Sequence, residues 1–387
     1  MNPVNKLEPC ELGRRLRIAR ASAQYTQEQA ARHIGLARTT LVAIERGDRR
    51  VSPEELVSLC RFYNVEPGRL LRPEALHTDL AVQFRSAVAH DDTEALAVLP
   101  ILQSLASRYV ELETQLGRPL EPAYPAVYHL HGGSLEEQAE DLAMDLRSHL
   151  GIGNSPIPDV LALVESELRI RLFVVPLASK ISGAYTWHAA LDACMLINAN
   201  HARNRQHWTA AHELGHFMTN RESVEILEEN TINHQREDRF ANLFAESFLM
   251  PGGSVRKRYR EVCETQGKFS ARSLMYLSSA FHVAPSAMSL RLEKLGLFTK
   301  GTYEMLKQRG VFRMLAKTAL GEGENTIGQA VTLPRYTVIA LEAYDRELIS
   351  EGELSKMLRI GRVEARELID SLASIAELED EREPVRV

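Results

Sequence analysis

Residues 203–220 read RNRQHWTAAHELGHFMTN. Thr209, Ala210, Ala211, Leu214 and Phe217 recur at helical spacing, which predicts an amphipathic helix with one buried face. His212 and His216 are four apart, so their imidazoles stand one turn above each other and can converge on one ion at about 2.0–2.1 Å. Glu213 follows the first of them and is placed to take a proton from a water held by that ion. Two imidazoles with an open position suit Zn2+, and a third protein ligand must then come from another segment.

Downstream, residues 235–251 read QREDRFANLFAESFLMP. Phe240, Phe244 and Phe248 form one apolar face of a second helix; Asp238, Ala241, Asn242 and Ala245 form another, small enough to approach the histidine helix closely. Asp238 is the leading third ligand, with Glu237 and His234 as the alternatives. Asn242, one turn beyond Asp238, can hydrogen-bond a ligand histidine from behind. Without the histidine pair this segment would read as an ordinary core helix with a solvated acidic edge. Upstream, residues 168–175 (LRIRLFVV), 181–186 and 194–198 (CMLIN) are short β-rich runs bounded by turn residues, so a small sheet precedes the histidine helix.

These residues carry a resemblance. Residues 134 to about 296 resemble the ImmA/IrrE family of metallopeptidase domains, in the HELGH of residues 212–216 and in the acidic-x-x-Ala-Asn-x-Phe-Ala segment from Asp238 that ends in Leu-x-Pro at Pro251. The family's ligand Glu maps onto Asp238, one methylene shorter, which requires the second helix to come nearer the ion. The resemblance implies a gluzincin-like fold, Zn2+ on His212, His216 and Asp238, and Glu213 as the catalytic base. It also implies cleavage of a helix-turn-helix repressor, either a companion protein or the chain's own head.

Residues 10–72 break into short helical units. Leu12, Leu16, Ile18 and Ala19 make an apolar stripe opposite Arg14, Arg15, Arg17 and Arg20. Thr26-Gln27-Glu28-Gln29 reads as a capping box opening a second helix to about His33. Gly35 supplies a sharp turn, residues 37–46 make a third helix stopped by Gly47, and Ser52-Pro53 starts a fourth. Helix, tight turn and helix within so few residues is the helix-turn-helix plan. Arg38, Thr39 and Thr40 at the amino end of the third helix are placed to reach base edges of double-stranded DNA, and Gln27, Arg46, Arg49 and Arg50 to hold phosphates. The run from Tyr25 to Leu71 resembles an XRE-type (Cro/C1-like) helix-turn-helix domain.

Charge agrees with that division. Residues 1–73 hold 13 Lys/Arg against 8 Asp/Glu, a net +5, whereas the remainder holds 33 against 44, a net −11. A basic head on an acidic body steers the head toward a polyanion. The length, 387 residues, predicts two or three domains, and 44% apolar with 25% charged residues excludes disordered and fibrous classes. No apolar run approaches a membrane span, and Cys10, Cys60, Cys194 and Cys263 are scattered singly, so a cytoplasmic protein with reduced thiols and no membrane contact is expected.

The expected fold is mainly α with a small β-sheet (α+β), an all-α helix-turn-helix head joined to a gluzincin-like zinc peptidase domain. The expected divisions are 1–73 for the head, 74–133 for a helical connector and Pro/Gly-rich linker, 134–298 for the peptidase domain and 299–387 for a helical carboxyl region. In the connector, Leu96, Leu99, Leu102, Leu105, Tyr109, Leu112 and Leu116 form a seam that packs on its own domain or zips two chains into a homodimer, with Pro100 interrupting it. Residues 271–297 form another helix, turn, helix unit, read as scaffold or substrate contact. Residues 336–374 hold a further one, read as a packing subdomain or a degenerate helix-turn-helix that meets a partner. The expected function is a DNA-binding transcriptional regulator with a zinc-dependent peptidase-like domain acting on a repressor-type protein. The alternatives are a non-catalytic metal- or ligand-sensing regulator and a member of a toxin-antitoxin or defence pair that works through protein contacts.

Overall fold

The computed structural model describes residues 8–23, 25–63, 65, 67–71, 93–221, 225–228, 236–315 and 335–380. The connector before residue 93, His234 and the acidic end beyond residue 380 lie outside them. Two compact units divide the described residues: one within Met1–Arg85, Leu99–Leu120 and Leu333–Val387, the other within Ser86–Val98 and Glu121–Thr332.

In the first unit the head consists of α1 (Pro9–Ser22), α2 (Gln27–His33), α3 (Arg38–Arg46), α4 (Pro53–Tyr63) and α5 (Pro67–Leu71). The Thr26 hydroxyl accepts from the Gln29 N–H (3.2 Å) and the Gln29 side chain accepts from the Thr26 N–H (2.8 Å), the reciprocal cap that the spacing predicts. Ser52 and Glu55 repeat it for α4. Gly47 ends α3 at φ 82°, and a Cβ there would lie 2.4 Å from Cys10 Cα, so the same glycine stops α3 and seats α1. Leu16, Leu41, Ile44 and Leu59 are fully buried between the helices, each worth roughly 1.5–3 kcal/mol relative to exposure.

The same unit contains α6 (Thr93–Leu116, from Leu99 onward) and α15 (Arg335–Asp345), α16 (Glu351–Leu358) and α17 (Arg362–Asp380). Helix α6 runs through Pro100. The seam residues Leu102, Leu105, Tyr109, Leu112 and Leu116 are buried within the chain itself. Tyr109 stacks on Tyr336 (5.3 Å between centroids), and Arg335 reaches both the Tyr109 hydroxyl (3.1 Å) and the buried Glu113 carboxylate, so the connector helix and the carboxyl region form one helical body.

The second unit is built on α7 (Leu135–His149), α8 (Val160–Ser166), a four-stranded sheet, α9 (Arg203–Thr219), α10 (Arg236–Leu249), α11 (Gly252–Gln266), α12 (Ala271–Ala280), α13 (Pro285–Lys294) and α14 (Thr302–Gln308). The strands β1 (Arg171–Val175), β2 (Ile181–His188), β3 (Asp192–Asn198) and β4 (Glu225–Glu228) lie in the order β1-β3-β2-β4. β1 runs parallel to β3, with Arg171 opposite Cys194; β2 runs antiparallel to both β3 and β4. The first strand begins at Arg171 and not at Leu168, because Arg169 takes a left-handed turn at φ 54°. β4 has no counterpart among the three expected runs: Glu-Ile-Leu-Glu is too short and too acidic to signal a strand alone.

A single apolar core runs from α7 through the sheet to α13 and includes Leu146, Tyr185, Leu214, Phe240, Phe244, Phe248 and Met288. Arg147 is buried inside it and donates to the carbonyls of Gly153 (2.6 Å), Ser155 and Phe248, so its charge ties α7 to the end of α10. The Pro-rich segment before α7 is pinned as well. Tyr128 N–H donates to Met218 O (2.8 Å), Tyr128 stacks on Phe240 (6.2 Å), and the Arg221 guanidinium lies over the Tyr124 ring (4.6 Å).

Candidate metal centre and nucleic-acid interface

Helix α9 packs closely on the sheet at one glycine and on α10 at another. A Cβ on Gly183 of β2 would meet Thr209 Cγ2 at 2.6 Å, and a Cβ on Gly215 would meet Ala241 Cα at 2.9 Å and Phe244 Cδ1 at 3.1 Å. The second contact draws α10 against α9, the close approach that a short aspartate needs.

Three donor atoms meet there. His216 Nε2 lies 3.1 Å from His212 Nε2 and 3.1 Å from Asp238 Oδ1, and His212 Nε2 lies 3.9 Å from the same oxygen. Ligand atoms at about 2.0–2.1 Å from a tetrahedral ion stand about 3.3 Å apart, so these spacings bracket the requirement. Among the described residues, His212, His216 and Asp238 are the one group of three metal-type donors close enough to share an ion. Both imidazoles are buried, and Asp238 is 15% exposed, which leaves one side of the cluster open. Glu237, on the same first turn, is exposed and outside the cluster.

Asn242 lies behind the cluster. Its Oδ1 is 3.2 Å from His212 Nδ1 and its amide donates to the Asp238 carbonyl (3.0 Å). A proton on Nδ1 directed at Asn242 leaves the Nε2 lone pair facing Asp238. Burial, followed by the neighbouring His216, pushes the His212 imidazole down to about 3 against the opposing effects of Asp238 and Asn242, so the ring is neutral, the form that ligates metal. Glu213 is fully buried, one residue from His212. Two imidazole nitrogens and one carboxylate oxygen, backed by a hydrogen-bonding amide, are a donor set that could hold a divalent transition metal and leave a position open.

Sequence reasoning did not single out Tyr185. Its ring lies alongside His216 (6.4 Å between centroids) and its hydroxyl donates to Asn220 O (2.7 Å), bracing the last turn of α9. A tyrosine in a β-run carries no signal beyond core packing. Gly215 did carry one, since a glycine inside a helix marks a close approach.

In the head, Arg38 and Thr39 are exposed and Thr40 is half-buried at the amino end of α3; Arg46, Arg49 and Arg50 are exposed after it. Two of the expected phosphate contacts have internal partners. The Gln27 amide donates to Glu45 Oε2 (2.8 Å), and Arg49 makes a two-point pair with Glu55 (2.9 and 3.0 Å). Glu45 is buried and also accepts from Arg20 at 2.6 and 3.0 Å, so Gln27 and Arg20 both act in holding α3. Among the described residues no helix is long and apolar enough to cross a membrane.

A family model described as a helix-turn-helix domain matches residues 11–73, and one described as an IrrE N-terminal-like domain matches residues 165–293. No curated protein matches the chain. A solved structure, ComR from Streptococcus suis, is similar at 12% identity over 97% of this chain and 96% of that one, with a TM-score of 0.16, too loose a superposition to support an argument. The chain therefore joins an XRE-type helix-turn-helix domain to a domain of the ImmA/IrrE metallopeptidase type.

Proposed function

We propose that the protein is a DNA-binding transcriptional regulator whose second unit holds Zn2+ and cleaves a repressor-type protein, a companion or its own head, in response to a signal. The observation that carries this reading is the convergence of His212, His216 and Asp238 on one point beside a buried Glu213. Zn2+, when bound, supplies Lewis acidity to a peptide carbonyl and lowers the pKa of a water. His212 and His216 would hold the ion with Asp238, while Asn242 keeps His212 in the ligating tautomer. Glu213 takes the proton as the carbonyl is attacked and returns it to the leaving amine. At the other end of the chain, Arg38, Thr39 and Thr40 enter the major groove of an operator, and Arg46 and Arg50 neutralise phosphates.

Metal analysis and target turnover together test the reading. Purified protein is expected to hold one equivalent of zinc, to lose it on Asp238→Ala and to keep it on Glu237→Ala. Glu213→Gln should retain zinc and lower proteolysis of the target by about 10²–10⁴-fold. If regulation and the abundance of each candidate target are unchanged by Glu213→Gln, the peptidase reading fails.

A further inference from the structure

Helices α15–α17 carry none of the residues assigned to either activity above, yet the turn between α16 and α17 repeats the turn of the head bond for bond. In the head, Gly35 N–H donates to Arg32 O (3.3 Å), Leu36 N–H to Ala31 O (2.9 Å) and Leu41 N–H to Ala37 O (3.2 Å). At one constant offset along the chain, Arg359 N–H donates to Lys356 O (3.3 Å), Ile360 N–H to Ser355 O (3.1 Å) and Ala365 N–H to Gly361 O (2.9 Å). The capping box of Thr26 and Gln29 recurs as Ser350 and Glu353. The left-handed residue recurs too, Gly35 at φ 71° becoming Arg359 at φ 57°, and the buried Leu41 becomes the buried Ala365.

The same turn geometry occurs in the second unit, without the charge that a DNA contact needs. Between α12 and α13, His282 takes φ 54°, Val283 N–H donates to Ser278 O (3.0 Å) and Met288 N–H to Ala284 O (3.0 Å), the same turn again. There the tip, residues 279–289, holds no charged residue, and Pro285 occupies the place of Arg38. Arg291, further along α13, is buried and donates to Met250 O (3.0 Å). That turn lacks the exposed cations of a phosphate contact.

The carboxyl turn differs in charge. Residues 356–366 carry Lys356, Arg359, Arg362 and Arg366 against Glu364 alone, where the matching head residues 32–42 carry Arg32 and Arg38. Arg362 stands in the place of Arg38, and both Arg359 and Arg362 are exposed. The nearby acids have local partners: Glu353 caps Ser350 (2.9 Å), Glu364 accepts from the Gly361 N–H (2.8 Å) and Glu351 pairs with Arg366 (3.0 Å). Glu367 and Asp370 sit about 7 and 12 Å further along the helix axis than Arg362. The Debye length at physiological salt is about 8 Å, so Asp370 is largely screened from the tip and Glu367 only in part, which leaves the tip with a net positive charge.

We propose that α16, its turn and the amino end of α17 form a second contact for duplex DNA, with Arg359 and Arg362 each on a phosphate. Each chain then carries two DNA contacts, both within the first unit. The proposal rests on the reading of the head as DNA-binding, and its test separates the two.

The full-length protein is titrated with a duplex of roughly 40 base pairs of mixed sequence, long enough for two half-sites, across a range of salt concentrations. Each lost phosphate contact lowers the salt slope by about 0.9. Arg359→Asn with Arg362→Gln, which keeps a residue tolerant of the left-handed turn, is expected to lower the slope by about 1–2 and to shorten the protected stretch of DNA. Arg362→Gln alone, at an ordinary helical position, should lower it by about half as much. Arg38→Gln with Arg46→Gln reports on the head independently. If the head pair lowers the slope while both carboxyl variants leave slope and footprint unchanged, the second contact does not exist. If the head pair has no effect, the head reading fails instead. Circular dichroism melting confirms that each variant is folded.

Discussion

A single methylene connects chemistry to packing at the metal centre. Asp238 is shorter than the glutamate of the resembled family, so it depends on close packing of α10 on α9, and the missing Cβ of Gly215 leaves room there for Ala241 and Phe244. Gly215→Ala should therefore push α10 outward, destabilise the second unit by about 1–3 kcal/mol and reduce bound zinc below one equivalent. Thermal melting and metal analysis of the one variant check both effects. In the head, hydrogen bonding from Arg14, against the upward effect of burial and with help from Arg15, holds the Glu11 carboxyl down to about 2 from 4.5. A depressed carboxyl stabilises the fold above its unfolded pKa, and that contribution is lost as pH falls from about 4.5 toward 2. Glu11→Gln should flatten the pH dependence of head stability in that window while leaving its dependence above pH 5 unchanged, a comparison read by acid titration with circular dichroism.

Each element of the head is held by ties that do not depend on its own helix propensity. Glu45 on α3 accepts from Arg20 on α1 and from Gln27 on α2, so one buried carboxylate fixes α3 against both neighbours. Glu45→Ala would leave the Arg20 guanidinium, 13% exposed, without its carboxylate. The expected cost is about 3–5 kcal/mol, enough to unfold a small head. The measurement is chemical denaturation followed by loss of duplex binding at a salt concentration where the wild type binds.

Caps and stops were legible because they are local. Thr26 with Gln29, Ser52 with Glu55 and the glycine stop at Gly47 all involve groups within a few residues of each other. The partner of a long seam was not legible. Leu102 to Leu116 could equally have faced a second chain, and it is Arg335 and Tyr336, more than two hundred residues away, that meet Tyr109 and Glu113.

At the scale of the whole molecule, the two units provide separate reports. Both tryptophans, Trp187 and Trp208, lie in the second unit, so indole fluorescence follows that unit alone. Ligand binding stabilises a folded unit by about 2.7 kcal/mol at one hundred times its dissociation constant. Removing zinc with a chelator should therefore lower the fluorescence melting transition, and restoring zinc should return it. Duplex binding by the head should persist in the chelated protein.

From the sequence alone came whatever depends on spacing along a single helix or turn: the histidine pair and its glutamate, the caps, the basic head and the α+β division. Neighbours on one helix are determined by its 3.6-residue period, whatever the rest of the chain does. Only the tertiary structure brings Asp238, and not Glu237, within reach of the two histidines, because which of two adjacent carboxylates faces α9 depends on how the two helices roll against each other at Gly215 and Ala241. It likewise decided that Gln27 and Arg49 have carboxylate partners inside the head, since the partners of a long polar side chain are selected by packing and not by its place in the sequence.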